Sequence, residues 1–269
     1  MLIWVAAMHC EAKPVIDFYR LRKSHDDNAF DLYRGDGMVC VISGIGKVAS
    51  AAACAWIASR YPDAGSLAWI NLGTAGAAEH DIGELFYLNQ VIDADTDQRY
   101  YPVITTGPGL PGTACLTLSR PSNDYDQRYL FDMEASGFMF SCLRFSTAEL
   151  VQSLKVISDN REVQTGRDRQ RVSHLIQQQM ASIDAQAQAL QTLNHEVAAR
   201  RPDPEIWQRL LDSTHFTQSQ KNQLRVLWRY LVNRGFDSER LLAEQTCASA
   251  SDIIASLQAL CYQDSERLS

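Results

Sequence analysis

Residues 2–21 read LIWVAAMHCEAKPVIDFYRL. The first seven form a continuous apolar run of strand length. EAKPVIDFYRL, residues 11–21, has helical spacing, with Pro14 expected in the first turn, where its missing N–H costs nothing. Glu11 stands at the joint between strand and helix. A strand that runs straight into a helix is half of a βα unit, and the chain repeats the pattern up to about residue 165. FDLYRG and MVCVISGI pair as a hairpin across the turn Gly35-Asp36-Gly37. GKVASAAACAWIASRY is an alanine-rich helix, followed by the strand SLAWINLG. ELFYLNQVIDAD and TACLTLSR are strands, MEASGFMFSCLRFS is helical and LKVISD is a strand. Alternation of this kind predicts a three-layer α/β fold with ligands at the C-terminal ends of the strands. YPVITTGPGLPG, residues 101–112, is a loop and a candidate pocket rim.

Beyond residue 165 the period changes. Val172, Leu175, Ile176, Met180, Ile183, Ala187 and Leu190 predict one amphipathic helix. Asp203-Pro204 reads as a cap with a first-turn proline, Thr217 with Gln220 as a capping box closed by Gly235, and Ser249 or Ser251 as the last cap. No strand pattern follows residue 165. The expected division is a domain over 1–195 and an all-helical extension over 196–269, with Trp207, Trp228 and Tyr230 in its core.

The chain has 269 residues, 46% of them hydrophobic, and a net charge of -7, which argues against nucleic acid as the main partner. The apolar start is too short to span a bilayer and has no basic flank, and no other stretch is long enough, so no membrane partner is expected. Seven cysteines with no CxxC pair read as reduced thiols of a cytoplasmic protein. No His/Cys cluster has zinc spacing, so no metal is expected.

Four places carry chemistry: AMHCEAKP with Glu11, the turn SGIGKVASAA, the turn INLGTAGA, and the pair of Glu134 in FDMEASGF with Asp159 in VISDN. Each has a plainer reading. A lone acid after a strand usually caps a helix, and a GxG turn needs only a tight bend. Together, however, they all lie at strand ends in α/β order, which favours convergence on one pocket. FDMEASGF sharpens the question, because a carboxylate beside so apolar a segment needs a hydrogen-bonding partner, from the protein or from a ligand.

AM--EAKP, GIGKVASAA, NLGTAGA, FDMEA and ISDN occur in the order and register of the nucleoside phosphorylase/nucleosidase superfamily. Over residues 1–195 the chain most resembles the methylthioadenosine/S-adenosylhomocysteine nucleosidases. The resemblance implies a three-layer phosphorylase/nucleosidase-like fold around a central mixed sheet, to which the C-terminal helices are an addition. It implies hydrolysis of the N-glycosidic bond of a purine or 5′-modified purine nucleoside, without a cofactor, by a homodimer. Glu134 would accept the ribose 2′- and 3′-hydroxyls, since a carboxylate can take both protons of a cis-diol. Met133 would wall the ribose, and Asp132 is given no catalytic role. Asp159 would protonate the purine leaving group. An acid in that role must hold a proton near neutral pH, which burial beside LKVIS favours, and Ser158 would orient it. Glu11 would activate water, with Thr74 and the backbone from Gly73 to Gly76 lining the site. Gly44 to Lys47 would be a neighbouring turn whose lysine is simply solvated.

Phosphorolysis is the nearest alternative. Phosphorylases of this superfamily place an arginine two residues before the glycine turn, where this chain has Asn71, and a carboxylate at Glu11 would repel phosphate. A nucleoside-binding sensor without activity is the second alternative, suggested by the short segment between GTAG and MEA and by the long tail. In relatives that segment supplies an aromatic that stacks on the base. The matching stretch Ser119-Arg120-Pro121-Ser122-Asn123 has none, leaving Tyr100, Tyr101 or Tyr125 as replacements.

Overall fold

The computed structural model describes residues 1–25, 29–61, 66–103, 107, 109–122, 128–163, 168–199, 204–245 and 249–266. Two compact units emerge, Met1–His195 and Glu196–Ser269.

The first unit opens with β1 (Leu2–Ala6), α1 (His9–Phe18), β2 (Arg22–Lys23), β3 (Asp31–Gly35), β4 (Met38–Ile42) and α2 (Lys47–Arg60). It continues with β5 (Ala68–Gly76), β6 (Leu85–Asp93), β7 (Arg99–Tyr100), β8 (Gly112–Thr117), β9 (Leu130–Asp132), α3 (Ala135–Cys142) and β10 (Val151–Asp159), then α4 (Arg169–Gln178) and α5 (Met180–Ala199). The strands form a mixed sheet. Parallel β1, β4 and β5 make its centre, and the β3–β4 hairpin and β2 extend one side. On the other side β5, β10, β6, β8 and β9 pair in a closed ring. Ile3, Val5, Trp69, Phe138 and Met139 lie in the core cluster that the sheet shares with α2 and α3.

One edge of β5 positions the site. β10 pairs along the whole of the opposite edge, from Trp69 to Gly76. On the site's edge β1 pairs with Ala68 to Asn71, and β9 meets only Gly76. Between them the sheet parts at the C-terminal ends of parallel strands, on either side of which the chain order switches, the usual seat for a ligand in such folds.

Several expectations need correction. α1 begins at His9, so Pro14 falls in its second turn and withholds one backbone hydrogen bond there. The three-residue strand β9 precedes α3, which starts two residues after Met133. The helix expected across 172–190 is two, broken at Gln179, whose side-chain amide donates to the Gly83 carbonyl at 2.7 Å. The Asp203 cap and Tyr125 lie outside the described residues.

The second unit contains α6 (Pro204–Asp212), α7 (Gln218–Asn233), α8 (Ser238–Glu244) and α9 (Ala250–Glu266), around Leu210, Phe216, Leu224, Trp228, Leu231 and Ile253. Trp207 and Tyr230 pack against that core. Thr217 and Gln220 form the expected capping box, Gly235 follows α7 with φ 86°, and Ser249 rather than Ser251 caps α9 through the Asp252 N–H. Among the described residues after 165 there is no strand, and no helix is long and apolar enough to cross a membrane.

Candidate active site

Where β5 loses its partner, the backbone N–H of Thr74 needs an acceptor, because an orphaned amide in so buried a place is costly. Glu11 supplies it. Its Oε1 accepts from Thr74 N at 2.9 Å and from Thr74 Oγ1 at 3.0 Å. Its Oε2 accepts from Met8 N at 3.0 Å, which caps the start of α1. Glu11 is only 3% exposed, yet three donors hold its carboxylate, and one of roughly four lone-pair positions is left over. The helix-capping reading of this acid is therefore correct for one oxygen and incomplete for the other.

FDMEASGF divides its two acids between opposite environments. Asp132 is sealed off, with an ion pair to Lys155 Nζ at 2.9 Å. Thr117 Oγ1 donates to it at 2.7 Å, and the Ala135 and Glu134 N–H groups donate at 2.8 and 3.2 Å, starting α3. Burial would raise its pKa, but the lysine and these donors hold it below the usual carboxylate range. Glu134, two residues on and 8% exposed, lines the cavity; Gly46 N donates to its Oε1 at 2.8 Å, and its Oε2 accepts no hydrogen bond among the described residues. Burial pushes its carboxyl up to about 7; Lys155 opposes that, and the nearby charges of Asp132 and Glu11 add to it.

Lys155 is the residue the sequence reading passed over. It is 1% exposed, in the middle of β10. Burial alone would lower its pKa, but Asp132, Glu134 and Glu11 hold it well above the ordinary lysine value. Its signal was present, since a lysine inside a continuous buried strand must have a carboxylate partner. Gly73 explains how the charges come so close. A Cβ there would lie 3.1 Å from Glu11 Oε1 and 3.2 Å from Lys155 Nζ. Gly73 thus stands one layer behind the cavity wall, unlike Thr74, Ala75 and Gly76, which line it.

Asp159 ends β10 beyond a register irregularity at Ser158. Ser158 Oγ donates to its Oδ2 at 2.5 Å, and Ala77 N–H donates to its backbone carbonyl at 2.9 Å. The burial expected from LKVIS stops at Ser158, and Asp159 itself is half-buried.

Glu11, Thr74, Met133, Glu134, Ser158 and Asp159 all line one cavity of about 650 Å³. Phe131 and Leu118 supply its apolar flank, and among the described residues Arg120 is its one cationic lining residue. Neither Tyr100 nor Tyr101 reaches it; Tyr101 Oη accepts instead from Gln90 at 3.1 Å. Among the described residues the aromatic on the wall is Phe131, inside the FDMEASGF stretch itself. Asn71 is committed to the sheet, donating to the Val5 carbonyl at 3.1 Å and accepting from Ser153 at 2.9 Å.

The second turn is a strut. Lys47 is not simply solvated, because its ammonium lies 2.8 Å from Asp93 and 2.5 Å from Asp95. Ser136 Oγ donates to Asp93 at 2.7 Å, and a Cβ on Gly137 would overlap the Lys47 carbonyl oxygen. The small residues after Glu134 let α3 press against the start of α2, which aims Gly46 N–H at Glu134.

No family model matches the sequence, and no curated protein matches it. Solved structures do. A 5′-methylthioadenosine/S-adenosylhomocysteine nucleosidase from Neisseria meningitidis, in complex with methylthio-immucillin-A, superposes with a TM-score of 0.55 at 17% identity, covering 68% of this chain and 98% of its own. An MTAN from Chlamydia trachomatis gives 0.51 at 21% identity, covering 68% and 96%. Futalosine hydrolase from Helicobacter pylori gives 0.52 at 13% identity, covering 70% and 98%. The chain therefore has the nucleoside phosphorylase/nucleosidase fold, and at these identities the likeness establishes the fold alone.

Proposed function

We propose that this protein hydrolyses the N-glycosidic bond of a purine or 5′-modified purine nucleoside, releasing free base and a ribose derivative. The observation that carries this reading is the single cavity walled by Glu11, Glu134 and Asp159, on a fold whose solved examples include nucleosidases. Glu134 accepts the ribose cis-diol, its Oε1 already aligned by Gly46. Met133 and Phe131 give the sugar and base apolar walls. Asp159, oriented by Ser158, protonates the purine as the bond breaks, and the bound base covers its open side and expels water from it. Glu11 takes a proton from the attacking water with the lone pair that its three donors leave free. The developing positive charge on the sugar ring faces carboxylates, as glycoside cleavage requires. These steps are proton transfers and charge stabilisation and call for no cofactor. The small-molecule partner is the nucleoside, and the active assembly is read as a homodimer in the cytoplasm.

Water is favoured over phosphate by charge. Among the described lining residues Glu11, Glu134 and Asp159 stand against one arginine, while the charge of Asp132 is already paired with Lys155, and this balance disfavours a phosphate dianion. The test is base release from a panel of adenosine, inosine, methylthioadenosine, adenosylhomocysteine and futalosine, with and without phosphate. Release independent of phosphate, and reduced by roughly 10²–10⁴-fold in Asp159→Asn, is expected. Strict phosphate dependence would make the protein a phosphorylase; tight binding with no release would make it a sensor.

A further inference from the structure

Among the described residues Gly46 N–H is the one donor to the Glu134 carboxylate, and nothing beside it in the chain aims it. Gly46 has φ 104° and ψ 151°, a conformation that few residues other than glycine adopt, and the start of α2 carries no side-chain cap. A glycine there is free to turn its amide away, so the direction has to be imposed from further off. Asp93, at the end of β6, imposes it. Its carboxylate accepts from Lys47 Nζ at 2.8 and 2.9 Å and from Ser136 Oγ at 2.7 Å. Lys47 directly follows Gly46, and Ser136 lies two residues after Glu134. A closed ring results: Gly46 N–H to Glu134, along α3 to Ser136, across to Asp93, on to Lys47 and back to Gly46. The Asp95 and Thr96 N–H groups, each 3.1 Å from Asp93 Oδ1, hold the carboxylate itself in place. Burial would raise its pKa, but Lys47, Ser136 and the Asp95 N–H bring it down to about 2, so it stays charged at neutral pH. A second arm leaves the ring at Lys47. The ammonium also reaches Asp95 at 2.5 Å, and Asp95 accepts from Ser119 Oγ, between Leu118 and Arg120 of the cavity wall.

We propose that Asp93 is a positioning residue for the ribose anchor, holding Gly46 N–H on Glu134 through Lys47 and Ser136 and tying the same turn to the Leu118–Arg120 wall through Asp95. The inference rests on the function proposed above, since it takes Glu134 as the acceptor of the ribose hydroxyls. Two consequences follow from the ring. Without it Gly46 N–H leaves Glu134 Oε1, and the carboxylate is free to rotate away from a cis-diol that needs both oxygens in fixed places. The lost donor also costs the charged form, so Glu134 takes up its proton at a higher pH. Lys155, Asp132 and Glu11, the other charges that face it, are untouched by the change.

The diol's share of the affinity isolates this effect. Binding of adenosine and of inosine to the Asp159→Asn protein would be measured by calorimetry, each beside its 2′,3′-dideoxy counterpart. At least one pair should favour the diol by about ten-fold or more, as hydrogen bonds to a charged acceptor provide. Adding Asp93→Asn should reduce that ratio by about ten-fold, while affinity for the dideoxynucleoside stays within a few-fold. The pH at which nucleoside affinity rises should move upward with it. Lys47→Met, at a partly exposed side chain, should reproduce both changes, and Lys47→Arg should restore much of the ratio, because a guanidinium still bonds the carboxylate. A change that merely loosened the fold would weaken both members of a pair alike and leave the pH dependence in place. A diol ratio that Asp93→Asn and Lys47→Met leave unmoved, in a parent that prefers the diol, overturns the inference alone. No diol preference in either pair overturns the ribose-anchor reading and the inference with it. A diol preference that depends on Asp93, without base release from any nucleoside by the unsubstituted protein, leaves the ring standing and removes the glycosidase reading.

Discussion

Asp132 and Glu134 are separated by one methionine and hold their charge in opposite ways. Behind the cavity wall, Asp132 is ion-paired, hydrogen-bonded and closed to ligand. At the wall, Glu134 keeps one oxygen open, and its carboxyl is pushed up to about 7. The back layer satisfies its polar groups within the protein; the front layer leaves one oxygen for something that arrives. Unfinished hydrogen bonding at buried acids marks a binding surface, and finished bonding marks the scaffold that aims it.

The largest way to break this comparison is at the back. Lys155→Met should destabilise the fold by about 3–5 kcal/mol in chemical denaturation, because it strands Asp132 as a buried unpaired charge. The double variant Lys155→Met with Asp132→Asn should recover much of that loss. If the single variant were as stable as the parent, the buried ion pair would not be the scaffold described. At the front the same kind of change should spare stability and remove affinity. Glu134→Gln should keep the melting temperature near the parent's and weaken nucleoside binding by about 2–3 kcal/mol, the worth of hydrogen bonds to a charged acceptor. A large loss of stability instead would place Glu134 with Asp132.

Glu134 also sharpens the comparison through pH. Its folded pKa is raised, so below about 7 it is mostly protonated and must give up its proton to accept two hydroxyls. Nucleoside affinity should therefore increase as pH rises through about 7, by up to about ten-fold per unit below it, with proton release seen by calorimetry in buffers of different ionisation heat. Flat binding between pH 6 and 8, or the same slope in Glu134→Gln, would contradict the assignment. The smallest effect belongs to Thr74→Val, which removes one of the three donors to Glu11 while its backbone N–H remains. Turnover should fall by about ten-fold with nucleoside affinity little changed.

Much of this organisation is readable in the sequence, for physical reasons. β1 and α1 declare themselves because an apolar run of period one gives way to helical spacing within a few residues. Glu11, Glu134 and Asp159 are visible as acids at strand ends, and the fold brings all three to one cavity. The back layer is less visible, because Lys155 and Asp132 explain each other only in three dimensions, across strands paired through β5. LKVISD reads as apolar with one tolerated charge until its partner is known. β9 escapes because three residues hold no period, and Phe131 escapes because its neighbours draw the eye. The break at Gln179 has no proline or glycine to announce it; a side-chain hydrogen bond to Gly83 accompanies it.

The central claim is that Glu11 turns water into the nucleophile, and Glu11→Gln tests it most directly. Base release and nucleoside affinity would be measured side by side on the same preparation, with circular dichroism to confirm folding. The account predicts that release falls by roughly 10²–10⁴-fold while affinity stays within a few-fold of the parent. Release at the parent's rate in Glu11→Gln would contradict it, and the base would have to be sought elsewhere on the cavity wall.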